Sequence, residues 1–341
     1  MEKMKYLGIA WISILLFSFS ACDNELNVLE DPRDIPIVYG FLSSTDTTQL
    51  IRIEKAFVNP GISAIELAGD SNAIYYDETV NVTISNLNTG TVHNVNRIDA
   101  TNIGYIRDEG VFSSSPNILY QIENDVLNLE VGTEYELIID RGDDFPPVTA
   151  VTNIVGESRV VRPLPSNPVI DFSYFAPTKV RWRTGENAQI HDVVIVFNYQ
   201  ERLPGEDFED KSVEWLMGAN LADNPNESVE EHERNAIDFY SFLANAIPVD
   251  ENLTRRVVDL EVVINSGNNE LLEFLRISEA NLSITATQDI PVYTNIYESD
   301  TIPLRGIFSS SFKTSLDGVR LSPGSLDSLF TGSLTGPLNF Q

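Results

Sequence analysis

Cysteine occurs once in the 341 residues, at position 22. One thiol excludes an internal disulfide and any thiolate metal cluster. Histidine is almost as scarce. His93, His191 and His232 stand alone in the sequence, and none has a second histidine four residues on with a Glu between. A zinc site would need ligands from distant segments, so each histidine is read as structural or solvent-facing. Cations are few as well: 22 Lys and Arg against 51 Asp and Glu, a formal charge of −29. No basic stripe on such a chain neutralises a phosphate backbone, which excludes nucleic acid as a partner and disfavours anionic headgroups. There is no Gly-x-Ser-x-Gly elbow and no Gly-x-x-x-x-Gly-Lys loop. Asp143-Asp144 are adjacent acids, and neighbours in sequence do not converge on one cleft as glycosidase carboxylates must. These absences leave no catalytic constellation, and no cofactor or metal is expected.

What is present begins at the first residue. Lys3 and Lys5 form a short basic segment, and Tyr6 to Cys22 carries no charge. Leu7 to Phe19 has the length of a signal-peptide apolar region and is short for a bilayer span. Small residues, Ser20-Ala21, precede Cys22. This arrangement resembles a bacterial lipobox, with Phe19 in place of the more usual Leu. The resemblance implies that residues 1–21 are removed and that Cys22 carries acyl chains into a lipid bilayer. Each buried CH₂ contributes roughly 0.8 kcal/mol, so two or three long chains hold a protein stably. No later segment reaches about 18 consecutive apolar residues, so the mature chain, at −30, is expected to be soluble and tethered. Residues 22–34 are polar and acidic and are read as the tether.

At 42% hydrophobic and 9% aromatic the chain can build real cores, and its length suggests two domains. Residues 35–152 read as all-β. Residues 37–42 form a short apolar run, Ile51 and Ile53 alternate with polar neighbours, and so do Val80, Val82 and Ile84, with a turn at Asn88-Thr89-Gly90. A tyrosine entering a strand after a Gly-containing corner, Leu129 to Tyr135 followed by Leu137 and Ile139, resembles the tyrosine corner of immunoglobulin and fibronectin type III sandwiches. The expected fold class is therefore mainly β: an N-terminal immunoglobulin/fibronectin-like β-sandwich, then a second β-rich domain, 153–341, with two or three short helices. In that domain Val193–Phe197 reads as a strand buried on both faces, and Val258, Leu260, Val262 and Ile264 alternate. Ala236, Phe239, Tyr240, Leu243 and Ile247 fall at helical spacing before Pro248. A second helix is expected after Asn268-Asn269, burying Leu271, Phe274 and Leu275, and a third is opened by Ser322-Pro323.

Residues 201–234 hold eleven acids against Arg202, Lys211 and Arg234. They read as a mobile, solvated acidic insertion whose Trp215 folds back onto the core. The alternative is a binding surface with Trp215 as an aromatic anchor and with Asp223 and Glu227 among oxygen donors of the kind calcium takes.

Pro36-Ile37-Val38-Tyr39-Gly40, then 51–57, and later Pro291 to Ile296 with Gly306-Ile307-Phe308-Ser309-Ser310, resemble an uncharacterised family of Bacteroidota outer-membrane lipoproteins. In that family a short Gly-containing turn joins the last two pieces, where this chain carries 297–304. The resemblance spans nearly the whole mature chain and supplies no catalytic residues. It implies an outer-membrane location, on the periplasmic or cell-surface face, and a TonB-dependent transporter as partner. Asp23, Glu25, Glu30 and Asp31 resemble the acidic display signal of such proteins. Exported proteins of this group are also O-glycosylated at Asp followed by Ser or Thr and then an apolar residue or Thr, a pattern matched at Thr47, Thr301 and Ser328. The expectation is a non-enzymatic binding or accessory lipoprotein that assists a transporter or envelope assembly. The competing readings are a surface adhesin or polysaccharide-binding protein, and a carbohydrate-active hydrolase.

Overall fold

The computed structural model describes residues 35–56, 62–142, 144–221, 228–281 and 293–341. The leader, Cys22, the 22–34 segment, Asp143, Asp223, Glu227 and the Pro291-Val292 pair lie outside the described residues. The first part of the chain supplies β1 (Ile35–Leu42), β2 (Thr48–Ala56), α1 (Ala64–Gly69), α2 (Ser71–Ile74), β3 (Asn81–Asn86), β4 (Thr91–Asp99), β5 (Ile118–Glu123), α3 (Asn124–Leu127), β6 (Glu134–Asp140) and β7 (Val148–Asn153). The remainder supplies β8 (Arg159–Arg162), β9 (Val169–Ile170), β10 (Thr178–Arg183), β11 (Ile190–Arg202), β12 (Glu209–Leu221), β13 (Val229–Arg234), α4 (Ala236–Ala246), β14 (Thr254–Gly267), α5 (Asn269–Asn281), β15 (Ile296–Glu298), β16 (Ile302–Pro303), β17 (Arg305–Leu321) and α6 (Pro323–Thr331). The protein is mainly β with a few short helices, as expected.

Hydrogen bonding runs unbroken through β12-β11-β14-β17-β1-β2-β5-β4-β3-β6-β7-β15-β16, while β13-β10-β8 form a separate sheet. Within the long path β4 passes from one layer to the other: Thr91–Val95 pair with β3, and Asn96–Asp99 pair with β5. Alternate residues of both layers then face one core, with Val38, Ile53, Ile84, Leu137, Ile139 and Phe308 all buried. The expected corner is built. Tyr135 is fully buried; its hydroxyl donates to the Asn128 carbonyl (3.2 Å) and accepts from Glu130 N–H (3.1 Å) and Asn86 Nδ2 (3.2 Å).

Residues 153–341, expected as one unit, divide between two cores. Ile296, Leu304 and Phe308 complete the first core, and β15 pairs with β7. The strand β17 belongs to both. Its first residues lie parallel to β1, Ile37 opposite Arg305 through Leu42 opposite Ser310, and its later residues lie antiparallel to β14, Gly267 opposite Ser311 through Leu260 opposite Val319. The first pairing needs glycine at 306, where φ is +101° and a Cβ would stand 1.8 Å from the Val38 carbonyl oxygen. Alternation within 35–152 cannot reveal that the missing strand arrives from 150 residues downstream.

The second core packs Phe172, Phe197, Trp215, Phe239, Tyr240 and Phe340 among aliphatic side chains. Phe172 stacks on Phe239 with centroids 3.9 Å apart. The helix over 236–246 buries Ala236, Phe239, Tyr240 and Leu243 as its spacing requires, and Ser322 caps α6 by accepting from Ser325 N–H. Three expectations change. The run Val193–Phe197 is not buried on both faces: Val193, Ile195 and Phe197 are buried, and Val194 and Val196 only half so. Val258 is exposed, because a bulge pairs Asp259 with Asn198 and Val257 with Tyr199 and skips it. On α5 the buried residue is Leu272, with Leu271 and Phe274 half-buried and Leu275 exposed. Arg255 is fully buried, with Nε donating to Glu201 (2.9 Å) and Nη1 to the Leu338 carbonyl (2.8 Å), which pins the C-terminal segment over this core.

Between the cores lies a seam of buried hydroxyls and amides. Asn268 Nδ2 donates to Thr152 Oγ1 (2.7 Å), and Ser309 Oγ donates to Asn268 Oδ1 (2.5 Å). Ser310 Oγ donates to the Asn153 carbonyl and accepts from Val155 N–H. Ser158 Oγ lies 2.8 Å from Ser266 Oγ and 3.3 Å from His191 Nε2, and accepts from Gly185 N–H. Burial pulls the His191 pKa down to about 4 from an ordinary 6.5, so the imidazole is neutral in the folded protein.

Two outcomes follow from this packing. Tyr135→Phe removes an acceptor from two donors and is expected to cost about 1–2 kcal/mol, read as a lower urea midpoint at unchanged slope. An unchanged midpoint would remove the corner's stabilising role. For His191 the unfolded chain binds the proton first, so stability is full above pH 6.5 and falls as pH drops towards 4. The loss is expected to reach about 3 kcal/mol. His191→Gln should flatten the unfolding-midpoint curve over that window; a curve parallel to the parent's would show that His191 is not the titrating group.

Candidate binding surfaces

Strand register orders the molecule from end to end. The chain enters β1 at Ile35, opposite Ala56, and Asp99 lies opposite Ile118 at the same end. Segments 62–80 and 100–117 therefore share that end. Strand β1 leads away from it beside the parallel β17, which continues into the second unit and finishes with Leu321 opposite Ile170. Its 17 residues span about 55 Å at the usual strand rise.

At the far end of β17 an open hollow of about 440 Å³ is lined by Arg162, Asn167, Ile170, Asp171, Thr178 and Lys179, among others. Its floor is held by the cap of α6. The Asp171 carboxylate accepts from Ser322 Oγ and Ser325 Oγ, and Thr178 Oγ1 donates to the Asp171 carbonyl (2.7 Å). Tyr174 and Phe175 rise beside it. Tyr174 stacks on Tyr240 with centroids 5.6 Å apart, and Phe175 is 98% exposed. A side chain of that size held in water marks an interaction surface more strongly than scattered exposed aliphatics do.

The wall beside the hollow is cationic in an acidic protein. Arg162 lies opposite Arg181 and Arg159 opposite Arg183 across the β8–β10 pair. Like charges directly opposite are unfavourable, and acids offset them from the far side. Glu231 sits 3.3 Å from Arg181, and hydrogen bonds to Glu231 and Glu233 hold the Lys179 ammonium above its ordinary range. The hollow thus combines the Arg162 guanidinium, the Lys179 ammonium and polar side chains of Asn167 and Thr178, with Tyr174 and Phe175 in the adjoining loop, a set suited to binding an anionic or sugar-like group.

The near end is different. Ile62, Ile65, Ile103, Tyr105, Ile106 and Val111 are all large and exposed, with Ile65 71% and Ile106 78% accessible. Ser113 N–H donates to the Ala68 carbonyl (2.8 Å), joining the two loops. Arg107 fastens them to the sheet, donating to Glu54 (3.0 Å) and to the Tyr75 hydroxyl (3.1 Å) while covering Phe112.

The expected site residues fall elsewhere. Trp215 is not an exposed anchor: it is 8% accessible and packs against Phe239, with centroids 5.5 Å apart. Nor is 201–234 a loose insertion. Most of it is β12 and β13, and Val213, Trp215 and Met217 alternate inward beneath an acidic outer face. Among the described residues no group of three His, Cys, Asp or Glu is placed to hold a metal. His232 Nε2 donates to the Met217 carbonyl (2.9 Å) and His93 is half-buried on β4. The Ser158–His191 contact is sealed from solvent, so neither group reaches a substrate. The hollow was missed by sequence reasoning. Its signal was Tyr174-Phe175 in a proline-punctuated loop with no periodicity to bury them.

No family model matches the chain, and no curated protein matches it. Among solved structures it is similar to the C-terminal globular domain of an oligosaccharyltransferase from Pyrococcus abyssi, at 12% identity and a TM-score of 0.24. That likeness covers 66% of this chain and 44% of that one, so the chain spans less than half of the other's length. Its size bears on neither fold nor activity.

The three glycosylation candidates separate by exposure. Thr47 and Thr301 are exposed in turns, the latter beside Ser299 and Asp300 at positive φ. Ser328 is half-buried within α6, with its side chain against the Tyr240 hydroxyl. In protein from the native organism, mass spectrometry of tryptic peptides is expected to find glycan on Thr47 or Thr301 and none on Ser328. Glycan on Ser328 with both threonines bare would reverse this order.

Proposed function

We propose that the chain is a membrane-anchored, non-enzymatic binding lipoprotein of the bacterial outer membrane that assists a transporter or envelope assembly. The observation that carries this reading is the placement of the hollow with Phe175. It lies at the end of β17 opposite to where the chain arrives from residue 34, and so farthest from an anchor at Cys22. A tethered protein that keeps an aromatic and cationic surface at its outer end is arranged to present that surface to something else. The buried, solvent-sealed Ser158–His191 contact favours a binding role over a hydrolytic one. Acylation of Cys22 and a TonB-dependent transporter as partner enter from the sequence resemblance, and the architecture is compatible with both. A second reading, binding of an acidic polysaccharide, draws support from Arg162 and Lys179 in the lining of the hollow and from exposed Tyr174 and Phe175 in the loop that also supplies Ser173 and Ala176 to it.

Two experiments test this. Palmitate labelling is expected on the parent chain and lost in Cys22→Ser, with release of that variant from membranes; label on the variant would overturn the anchor. A photo-crosslinking residue at position 175, in the native organism, should give one discrete adduct with an outer-membrane protein. A glycan-bearing smear would favour the second reading. No adduct from 175, with adducts from a control position on β12, would overturn the hollow as the binding surface.

A further inference from the structure

We infer that the near end of the first unit is a second membrane contact: the exposed apolar side chains around Ile65 and Ile106 sit in the surface of the zwitterionic bilayer that holds the acyl chains of Cys22. This rests on the lipoprotein reading of Cys22. Three observations carry it. The register places Ile35, where the chain enters, at the same end as both apolar loops. Twelve residues lie between Cys22 and Ile35, so the anchor lies within about 45 Å of that end even at full extension. And the patch is built rather than incidental, because Ser113 and Arg107 lock its loops to each other and to β2 while leaving Ile62, Ile65, Ile103, Tyr105, Ile106 and Val111 in solvent. Aliphatic and aromatic side chains at the tips of tethered loops match the headgroup–acyl boundary, where apolar area is buried and polar backbone stays wet.

Charge selects the kind of surface. The two loops and the strand ends that carry them hold Glu54, Glu66, Asp70, Asp77, Glu78, Asp99, Asp108 and Glu109 against Lys55, Arg97 and Arg107. Hydrogen bonds from Thr79 hold Asp77 below the ordinary carboxylate range, so it stays ionised. An anionic bilayer would repel this end, and a zwitterionic one would not. A protein groove is the competing occupant, and the test separates it.

The full mature chain carrying Cys22→Ser, which has no acyl group, is sedimented with phosphatidylcholine vesicles and with vesicles enriched in phosphatidylglycerol. It is compared with the same chain also carrying Ile65→Asp and Ile106→Asp. Both positions are exposed, and far-UV circular dichroism checks that the fold is kept. We expect weak binding to phosphatidylcholine, weaker binding to phosphatidylglycerol, and a loss of about tenfold or more in partition for the Asp variant. No binding by Cys22→Ser, equal partition of the two chains, or tighter binding to phosphatidylglycerol overturns the inference, the first of these leaving a protein groove as the occupant. Palmitate labelling of the parent keeps the two readings apart. Label on Cys22 without vesicle binding by the variant refutes the second membrane contact alone. Binding through Ile65 and Ile106 without label refutes the anchor alone.

Discussion

One strand makes this molecule a single body. Strand β17 closes the first sandwich against β1 and opens the second unit against β14 without a break. Neither core is complete without it: Phe308 belongs to the first and Val319 to the second. The change of partner falls between Ser310, opposite Leu42, and Ser311, opposite Gly267, so one continuous backbone carries both pairings. The local requirement is equally strict. Gly306 must sit at positive φ against Val38, since a side chain there would meet backbone that cannot move away.

The seam beside that strand explains how the two units keep one orientation. Thr152, Ser158, His191, Ser266, Asn268, Ser309 and Ser310 are all buried. Hydroxyls and amides taken out of water are costly unless bonded. Asn268 reaches Thr152 and Asn153 on one unit and Ser309 on the shared strand. An apolar joint tolerates sliding, whereas a directional network is satisfied at one arrangement only. Neutral His191 fits this role because it bridges towards Ser158 without bringing a charge into the seam.

What the sequence made legible was local. Alternation located β2, β3 and β6. The Gly132–Tyr135 corner announced its own hydrogen bonds, and helical spacing named the buried face of α4 correctly, since each of these depends on residues within one or two turns of each other. What failed was non-local or masked. The partition at residue 152 overlooked β15 to β17 because strand exchange leaves no mark on spacing. The acidic density of 201–234 hid the alternation of Val213, Trp215 and Met217, so the segment reads as an insertion, although Trp215 does fold back onto the core as expected. The bulge at Val258 reversed the phase of β14 through a single unpaired residue. The hollow was invisible for the opposite reason: Arg162 and Lys179 are brought to it by the antiparallel pairing of β8 with β10, and Ile170 by a parallel pairing of β9 with β17 that two residues, Val169 and Ile170, suffice to make.

Rigidity gives the two ends of the molecule a shared consequence. Held by the tether alone, the hollow would range over a height set by roughly 45 Å of slack plus the body's own length. With the near end seated on the bilayer the slack no longer counts, and the height follows from β17, about 55 Å at most. Confining a tethered site to a narrow shell raises its effective concentration for partners standing at that height and lowers it for all others. Under the lipoprotein reading we propose, the apolar near end and the far end that bears Phe175 are two parts of one positional device, and the buried seam is what lets the first act on the second.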